Sequence, residues 1–193
     1  GSWGQFRPTF DVQTVLDKSQ TVAFRVNGAY ERSDSYRKSV TKDRIYINPS
    51  LAWKANDKTT VTVEMDYLHD TRTPDRGTVN LAADSVNALY KMPNNNFLGF
   101  DTDRAMTNNL TYALRFDRSL SDLFSVRIAF FGSTLDTDNT GASTSTLKNV
   151  AKTGAYNLRS RSLTRSTRAD DNNALQIDLI GRDVFTGKIK HTF

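Results

Sequence analysis

The most regular hydrophobic pattern of the chain lies within residues 43–77. Two long runs alternate apolar with polar residues, and a polar break at residues 55–58 separates them. The apolar positions are Ile45, Ile47, Leu51 and Trp53 in the first run, and Val61, Val63, Met65 and Tyr67 in the second. Because successive side chains of a β-strand point to opposite faces, each run predicts a strand with one apolar and one polar face. The short break predicts that the two strands form an antiparallel hairpin.

The same alternation predicts strands along the rest of the chain, to a total of about eight. The further strands cover residues 5–16, 21–32, 105–117, 123–132 and 158–185, and a last one begins at Ile189. Pro8 weakens the first of them, since proline cannot donate a hydrogen bond to a neighbouring strand. The strand at 158–185 carries an irregularity at residues 170–173, where a bulge would reverse the facing of the side chains before it.

The connections between these strands are short and long in turn. The longest, residues 71–104, contains the structure breakers Pro74, Gly77, Pro93 and Gly99. Bacterial outer-membrane barrels have short periplasmic turns and long extracellular loops. The pattern therefore predicts an all-β fold, namely an antiparallel, up-and-down segment of a transmembrane β-barrel. The alternative is a soluble extracellular β-sandwich that serves as a binding module, although a sandwich has no reason to sort its loops by edge.

Composition narrows the class of protein only in part. The chain is 37% hydrophobic with a mean hydropathy of −0.55, which suits a soluble protein but also a barrel, whose strands are half polar. Apolar runs are too short for a transmembrane helix, which needs about 18 or more residues. The absence of cysteine excludes disulfides and thiolate metal sites. The net charge of +5 is spread along the chain, so no nucleic-acid partner is predicted.

Several short motifs occur in the same order as in one family of membrane receptors. They are residues 24–30 (FRVNGAY), 35–37 (SYR), 49–51 (PSL), 57–59 (DKT), 74–77 (PDRG), 175–179 (LQIDL) and 185–187 (FTG), with Arg44, Trp53 and His191. With these motifs the chain resembles the barrel of a TonB-dependent ferric-siderophore receptor of the ferrichrome-receptor type. The resemblance covers nearly the whole chain.

The resemblance implies a plug domain inside a barrel of about 22 strands. Residues 1–193 are accordingly expected to be a partial barrel domain, a piece from which the plug and the remaining strands are absent. The implied function is import of ferric siderophores across the outer membrane of a Gram-negative cell. The implied partners are the ferric siderophore, the TonB complex through the missing plug, and outer-membrane lipid and lipopolysaccharide. No enzyme activity and no cofactor are expected.

The long connection at residues 71–104 carries the candidate ligand-binding residues. They are Arg72, Arg76, Tyr90, Phe97 and Phe100. Aromatic rings and cationic groups on one loop suit a bulky polar ligand, because such groups contact it by stacking and by cation–π attraction. The same residues could instead pack the loop against the barrel mouth, and the sequence leaves both interpretations open.

A second cluster consists of four arginines. They are Arg159, Arg161, Arg165 and Arg168. In a regular strand the first three share a face with Leu175, which points outward, whereas a bulge would turn them inward. Facing outward they could meet lipopolysaccharide phosphates, and facing inward they could attract an anionic ferric complex. A solvated strand above the membrane is the third interpretation.

Other polar groups predict no catalysis. His69 and His191 are far apart in the sequence and have no nucleophile arranged beside them. Residues 136–141 begin like a calcium loop, but Leu147 stands where a bidentate glutamate is required. Glu64 and Asp66 have the ordinary spacing of neighbours on one strand face, and we expect them to bond to Arg115 or to the missing plug.

Overall fold

Seven antiparallel strands form one sheet in which each strand is hydrogen-bonded to its neighbours in the sequence. The computed structural model describes residues 3–75, 77, 95–144 and 161–192. The strands are β1 (Thr9–Val15), β2 (Val22–Asp34), β3 (Thr41–Asn56), β4 (Thr59–Arg72), β5 (Arg104–Ser119), β6 (Phe124–Thr144) and β7 (Arg161–Gly181). Two short strands, β8 (Val184–Thr186) and β9 (Ile189–His191), form a separate hairpin. The predicted all-β, antiparallel, up-and-down arrangement is confirmed.

The strands differ from the prediction in four features. The predicted strand 158–185 is divided, because β7 ends at Gly181 and residues 184–186 belong to the separate β8–β9 hairpin. β1 begins at Thr9 rather than residue 5, although Phe6 still pairs with Arg32 as an isolated bridge. β6 continues to Thr144, whereas the prediction ended it at Gly132. The prediction stopped early because residues 133–144 are mostly polar on both faces of the strand and lack the period-two alternation. The predicted irregularity at residues 170–173 does not interrupt β7, which pairs with β6 in one register along its whole length.

No helix in the described residues is long and apolar enough to cross a membrane.

The register places the apolar residues of six strands on one face of the sheet. One rung of hydrogen-bonded neighbours runs Val22, Trp53, Val61, Phe116, Ile128 and Ile177. The rung above it runs Phe24, Leu51, Val63, Leu114, Phe130 and Leu175. We call these rungs and their apolar neighbours the belt. Within the described residues the only buried apolar side chains are Ala129 and Ala142, so the belt is an exposed surface and not a core.

The upper aromatic residues of the belt step down the ladder from strand to strand. Tyr30 on β2 lies on the rung of His69, two residues above Tyr67 on β4. Tyr112 on β5 lies opposite Met65, two residues below Tyr67. Such a drift is expected when strands are inclined to the membrane normal, as in barrels, where the tilt from the barrel axis is about 35–45°. The aromatic row therefore follows a plane that cuts the rungs obliquely.

Two glycines on the belt face lie beneath aromatic rings of the neighbouring strand. A Cβ added to Gly28 would lie 2.7 Å from the ring of Phe10, and one added to Gly132 would overlap the ring of Tyr112. The hydroxyl of Tyr112 also donates to Asn173 Oδ1 at 3.2 Å, so the ring spans β6. The small residues let these rings lie flat on the sheet and fix their positions on the outer face.

An acidic side chain closes the turn between β1 and β2. Asp17 accepts hydrogen bonds from the backbone N–H groups of Thr21 and Val22 at 2.8–3.1 Å, and from the hydroxyls of Thr21 and Ser19. The Ser19 hydroxyl, followed by the Thr21 and Val22 donors, holds the pKa of the Asp17 carboxyl well below its usual range. The ionised carboxylate is thus the form that fits the turn.

Replacing Asp17 by Asn should lower the urea midpoint of unfolding in detergent at pH 7. The folded-state pKa is depressed, so the stabilisation is present above the ordinary carboxyl pKa of about 4 and is lost as the pH falls below it. The difference between wild type and Asp17→Asn should therefore shrink between pH 7 and pH 3. A difference that stays constant over this range would contradict the assigned role of the carboxylate.

Arginine at Ile128 should destabilise the predicted barrel by about 2–4 kcal/mol, the cost of a cation near the bilayer midplane. Gln176→Arg is the matched control, because Gln176 is the register partner of Ala129 on the opposite face of the sheet. Urea unfolding and heat-modifiable gel mobility measure both variants. Equal effects of the two substitutions would show that the belt does not face lipid.

Candidate ligand site at the long-loop edge

The long connections meet at one edge of the sheet and contact one another. The β2–β3 loop, residues 35–40, is tied to the start of the β4–β5 connection by an ion pair between Arg37 Nε and Asp75 Oδ2 at 3.1 Å. Its backbone N–H at Lys38 donates to Asn95 O at 3.1 Å, and Ser39 Oγ donates to Asp101 Oδ1 at 3.0 Å. Both described parts of the β4–β5 connection are therefore held by the β2–β3 loop.

Arg72, the first predicted site residue, is the last residue of β4 and lies on the polar face of the sheet. Its nearest acid is Asp70, with Nε 3.7 Å from Oδ2. That carboxylate already accepts a hydrogen bond from Arg44 Nε at 2.8 Å and is nearly buried. Arg72 is thus loosely held, and its half-exposed guanidinium keeps donors available for another group.

A recess of about 550 Å³ lies beside Arg72 at this edge. Its other lining residues are Thr73, Pro74, Asp75, Ala105, Asn139, Thr140, Gly141, Thr164 and Ser166. Neutral hydroxyl and amide groups from β6 and β7 therefore stand opposite the cation Arg72, and the acid of the lining, Asp75, is paired with Arg37. This chemistry suits a polar ligand that carries anionic oxygen atoms.

Phe97 and Phe100 lie in the segment before β5, residues 95–103, which we call the strap. The Phe100 ring has the guanidinium carbon of Arg161 at 4.4 Å from its centroid. Phe97 lies against Gly99, where an added Cβ would overlap both the Phe97 ring and Asp103. The structure places Phe97 and Phe100 in the strap, whereas Arg72 lines a recess whose lining residues come from outside the strap. Arg76 and Tyr90 lie outside the described residues.

The arginine cluster of β7 is divided between the two faces of the sheet. Because β6 and β7 pair without a register shift, Arg161 and Arg165 share the belt face with Leu175, while Arg168 lies on the polar face. Arg165 makes a bidentate pair with Asp138 at 3.0 and 2.8 Å. The inward orientation that a bulge would have produced is excluded for Arg161 and Arg165. Arg159 lies outside the described residues.

The polar face carries cross-strand ion pairs and hydrogen bonds along its length. Examples are Arg25 with Asp11, Lys42 with Glu31, and Arg127 with Asp117. Asp66 accepts from Tyr46 Oη at 2.6 Å and from Asn48 Nδ2 at 2.7 Å. Of the two expected partners, Arg115 is not the one that Asp66 meets here, because β3 supplies its donors and Arg115 lies by Asp117; a bond to the plug stays a prediction. Glu64 is exposed.

The chain was compared with protein families, with curated proteins and with solved structures. No protein-family model matches the chain. The metal-pseudopaline receptor CntO of Pseudomonas aeruginosa (strain UCBPP-PA14) is 30% identical over 192 residues, which are 99% of this chain and 26% of that receptor. The crystal structure of the ferric-catecholate import receptor Fiu from K12 E. coli, in its closed form, is similar with a TM-score of 0.71 and 23% identity, over 96% of this chain and 28% of that one.

A third similar structure is that of FpvA from P. aeruginosa bound to a heterologous pyoverdine. It has a TM-score of 0.80 and 16% identity, over 97% of this chain and 24% of that chain. At these identities the solved structures establish the fold. The match with CntO includes nearly all of this chain, but the chain spans only about a quarter of the length of CntO, namely 26%. The ferrichrome-receptor subtype is not confirmed by these relatives.

Proposed function

Because the chain belongs to the TonB-dependent siderophore receptors, which lie in the outer membrane of Gram-negative bacteria, we propose that its parent protein imports ferric siderophores. Residues 1–193 form part of the barrel domain of that protein. The observation that carries this proposal is the two-faced sheet, in which the antiparallel pairing gives an exposed apolar belt on one side and paired charges on the other. An apolar outer face and a polar lumen are what a barrel wall in lipid requires.

The alternative of a soluble β-sandwich is not favoured. A sandwich buries the apolar faces of two sheets against each other. In the described part of the chain no second sheet covers the belt, and residues such as Val63 and Leu114 remain more than 40% exposed. In the barrel the same residues contact outer-membrane lipid.

The polar face of the wall meets a plug domain in the parent protein, and the TonB complex supplies energy through that plug. The charged side chains Arg25, Glu31 and Arg127 are already paired within the wall. A plug therefore meets a surface whose charges are largely balanced, while Glu64 remains an exposed carboxylate for a cationic partner group. Such balance allows a plug to move without leaving unpaired charges behind.

The ligand is held by residues of the long-loop edge, namely Arg72, Arg76, Tyr90, Phe97 and Phe100. What supports this assignment is the loosely paired Arg72 beside a polar recess, together with two aromatic rings in the strap. Arg72 binds an anionic oxygen of the ferric complex, and the rings contact its apolar or aromatic parts. Above the belt, the outward polar residues of β6 and β7 other than Arg161 face lipopolysaccharide.

Arg72→Ala should weaken binding of an anionic ferric siderophore by tenfold or more, since a hydrogen bond to a charged group contributes about 1.5–3 kcal/mol. The affinity of Arg72→Lys should lie between the affinities of wild type and Arg72→Ala. Arg115→Ala, on the same polar face but far toward the short turns, is the control and should bind normally. Isothermal titration of the purified receptor with ferric catecholate, hydroxamate and carboxylate complexes measures this. Unchanged affinity of Arg72→Ala for a complex that binds wild type would remove Arg72 from the site.

Single cysteines test the orientation of the wall in intact cells. A cysteine at Asn96 in the strap should react with a membrane-impermeant maleimide, because the long-loop edge is extracellular. A cysteine at Asp57, in the short β3–β4 turn, should stay unlabelled until the outer membrane is permeabilised. Labelling of Asp57 alone in intact cells would invert the proposed topology.

A further inference from the structure

The strap, residues 95–103, is fixed at both ends and along its length by other elements. Its first residue, Asn95, and its Asp101 side chain both bond to the β2–β3 loop. At its other end the carboxylate of Asp103 accepts a hydrogen bond from the Ala142 N–H on β6 at 3.0 Å. The Asp103 N–H in turn donates to Phe100 O at 2.9 Å and closes a turn. The strap is therefore bonded to other elements at Asn95, Asp101 and Asp103.

Arg161 on β7 makes the contact that fixes the middle of the strap. Its Nη1 donates to Gly99 O at 2.6 Å, and its guanidinium lies over the Phe100 ring. One side chain thus holds both a carbonyl and an aromatic ring of the same segment. Gly99 cannot carry a side chain here without displacing Asp103 or Phe97, so the close approach is built into the strap.

Arg165 provides a natural contrast to Arg161. Both arginines lie on the same face of the same strand and both are exposed. Arg165 is committed to Asp138 through two hydrogen bonds. Within the described part of the chain no hydrogen bond or ring contact joins Arg165 to the strap. The two residues therefore have the same charge and setting but different partners.

We propose that Arg161 is a positioning residue of the ligand site, which holds Phe100 and Gly99 so that the strap is preorganised for a bulky ferric complex. This inference rests on the proposed function, since it gives that site a residue that acts through the strap and not through the ligand. Preorganisation raises affinity because the loop does not have to be ordered on binding. Within the arginine cluster of β7, Arg161 accordingly contacts the strap, whereas Arg165 pairs with Asp138 on the neighbouring strand.

Hydrogen exchange of the full receptor in nanodiscs tests the positioning role without any ligand. Arg161→Ala should raise amide exchange in residues 99–103, including the hydrogen-bonded N–H of Asp103, whereas Arg165→Ala should leave that segment unchanged. Arg161→Lys should restore part of the protection, because it keeps the cation over the ring. Heat-modifiable mobility checks that every variant is folded. Equal exchange in Arg161→Ala and wild type would overturn the proposal.

Binding of a ferric complex that wild type recognises gives the second readout. Arg161→Ala should bind roughly tenfold more weakly through a slower association rate, and Arg165→Ala should bind normally. In Phe100→Ala, the further change Arg161→Ala should add little, because the ring it positions is gone. Equal loss in the two arginine variants, with equal loss of co-purified lipopolysaccharide, would assign both to lipid binding and refute the positioning role. A wild type that binds no ferric complex would refute the proposed function, while the exchange result would still decide whether Arg161 fixes the strap.

Discussion

The continuous antiparallel hydrogen-bond ladder is the constraint on which the rest of this structure depends. Lipid offers no partner to a backbone N–H or C=O, so every such group at belt depth must be satisfied inside the sheet. β4 to β7 pair without a slip, and the shift between Lys54 and Asn56 lies beside a turn. Pro49 interrupts the β3–β4 pairing within the belt, and there Asn48 Nδ2 donates to Met65 O at 3.0 Å. A side-chain amide thus supplies a donor at the place where proline has none.

The register of the ladder also keeps the apolar side chains on one face of the sheet and the charged side chains on the other. With a period of two, a one-residue slip would exchange the belt for the charged face along a whole strand. The cross-strand pairs of the polar face oppose such a slip, because Asp11 meets Arg25 and Asp117 meets Arg127 only in the observed register. The rings that cover Gly28 and Gly132 oppose it on the other face. Register is therefore specified from both sides of the sheet.

How far the sequence predicted this structure depends on whether one face of a strand was apolar. The hairpin of β3 and β4 was predicted closely, since Ile45 to Tyr67 alternate clearly. The part of β6 beyond Gly132 was missed because both faces of the strand are polar there, with Asp136 on one face and Asn139 on the other. The ligand site stays a prediction. Phe100 was proposed from its chemistry, but its contact with Arg161 joins residues far apart in the sequence, which periodicity cannot reveal. The facing of Arg161 also depended on the absence of a bulge.

The strap and the belt are linked through β7, although they do different work. Leu175 and Ile177 lie in the belt, and because β7 pairs with β6 in one register, Arg161 lies on the same face of the strand. The orientation of the arginine that holds Phe100 is thus set by the apolar residues below it. A bulge between Arg161 and Leu175 would keep the belt intact and yet turn Arg161 away from Gly99. The unbroken pairing of β7 thus presents Arg161 to Gly99 and Phe100.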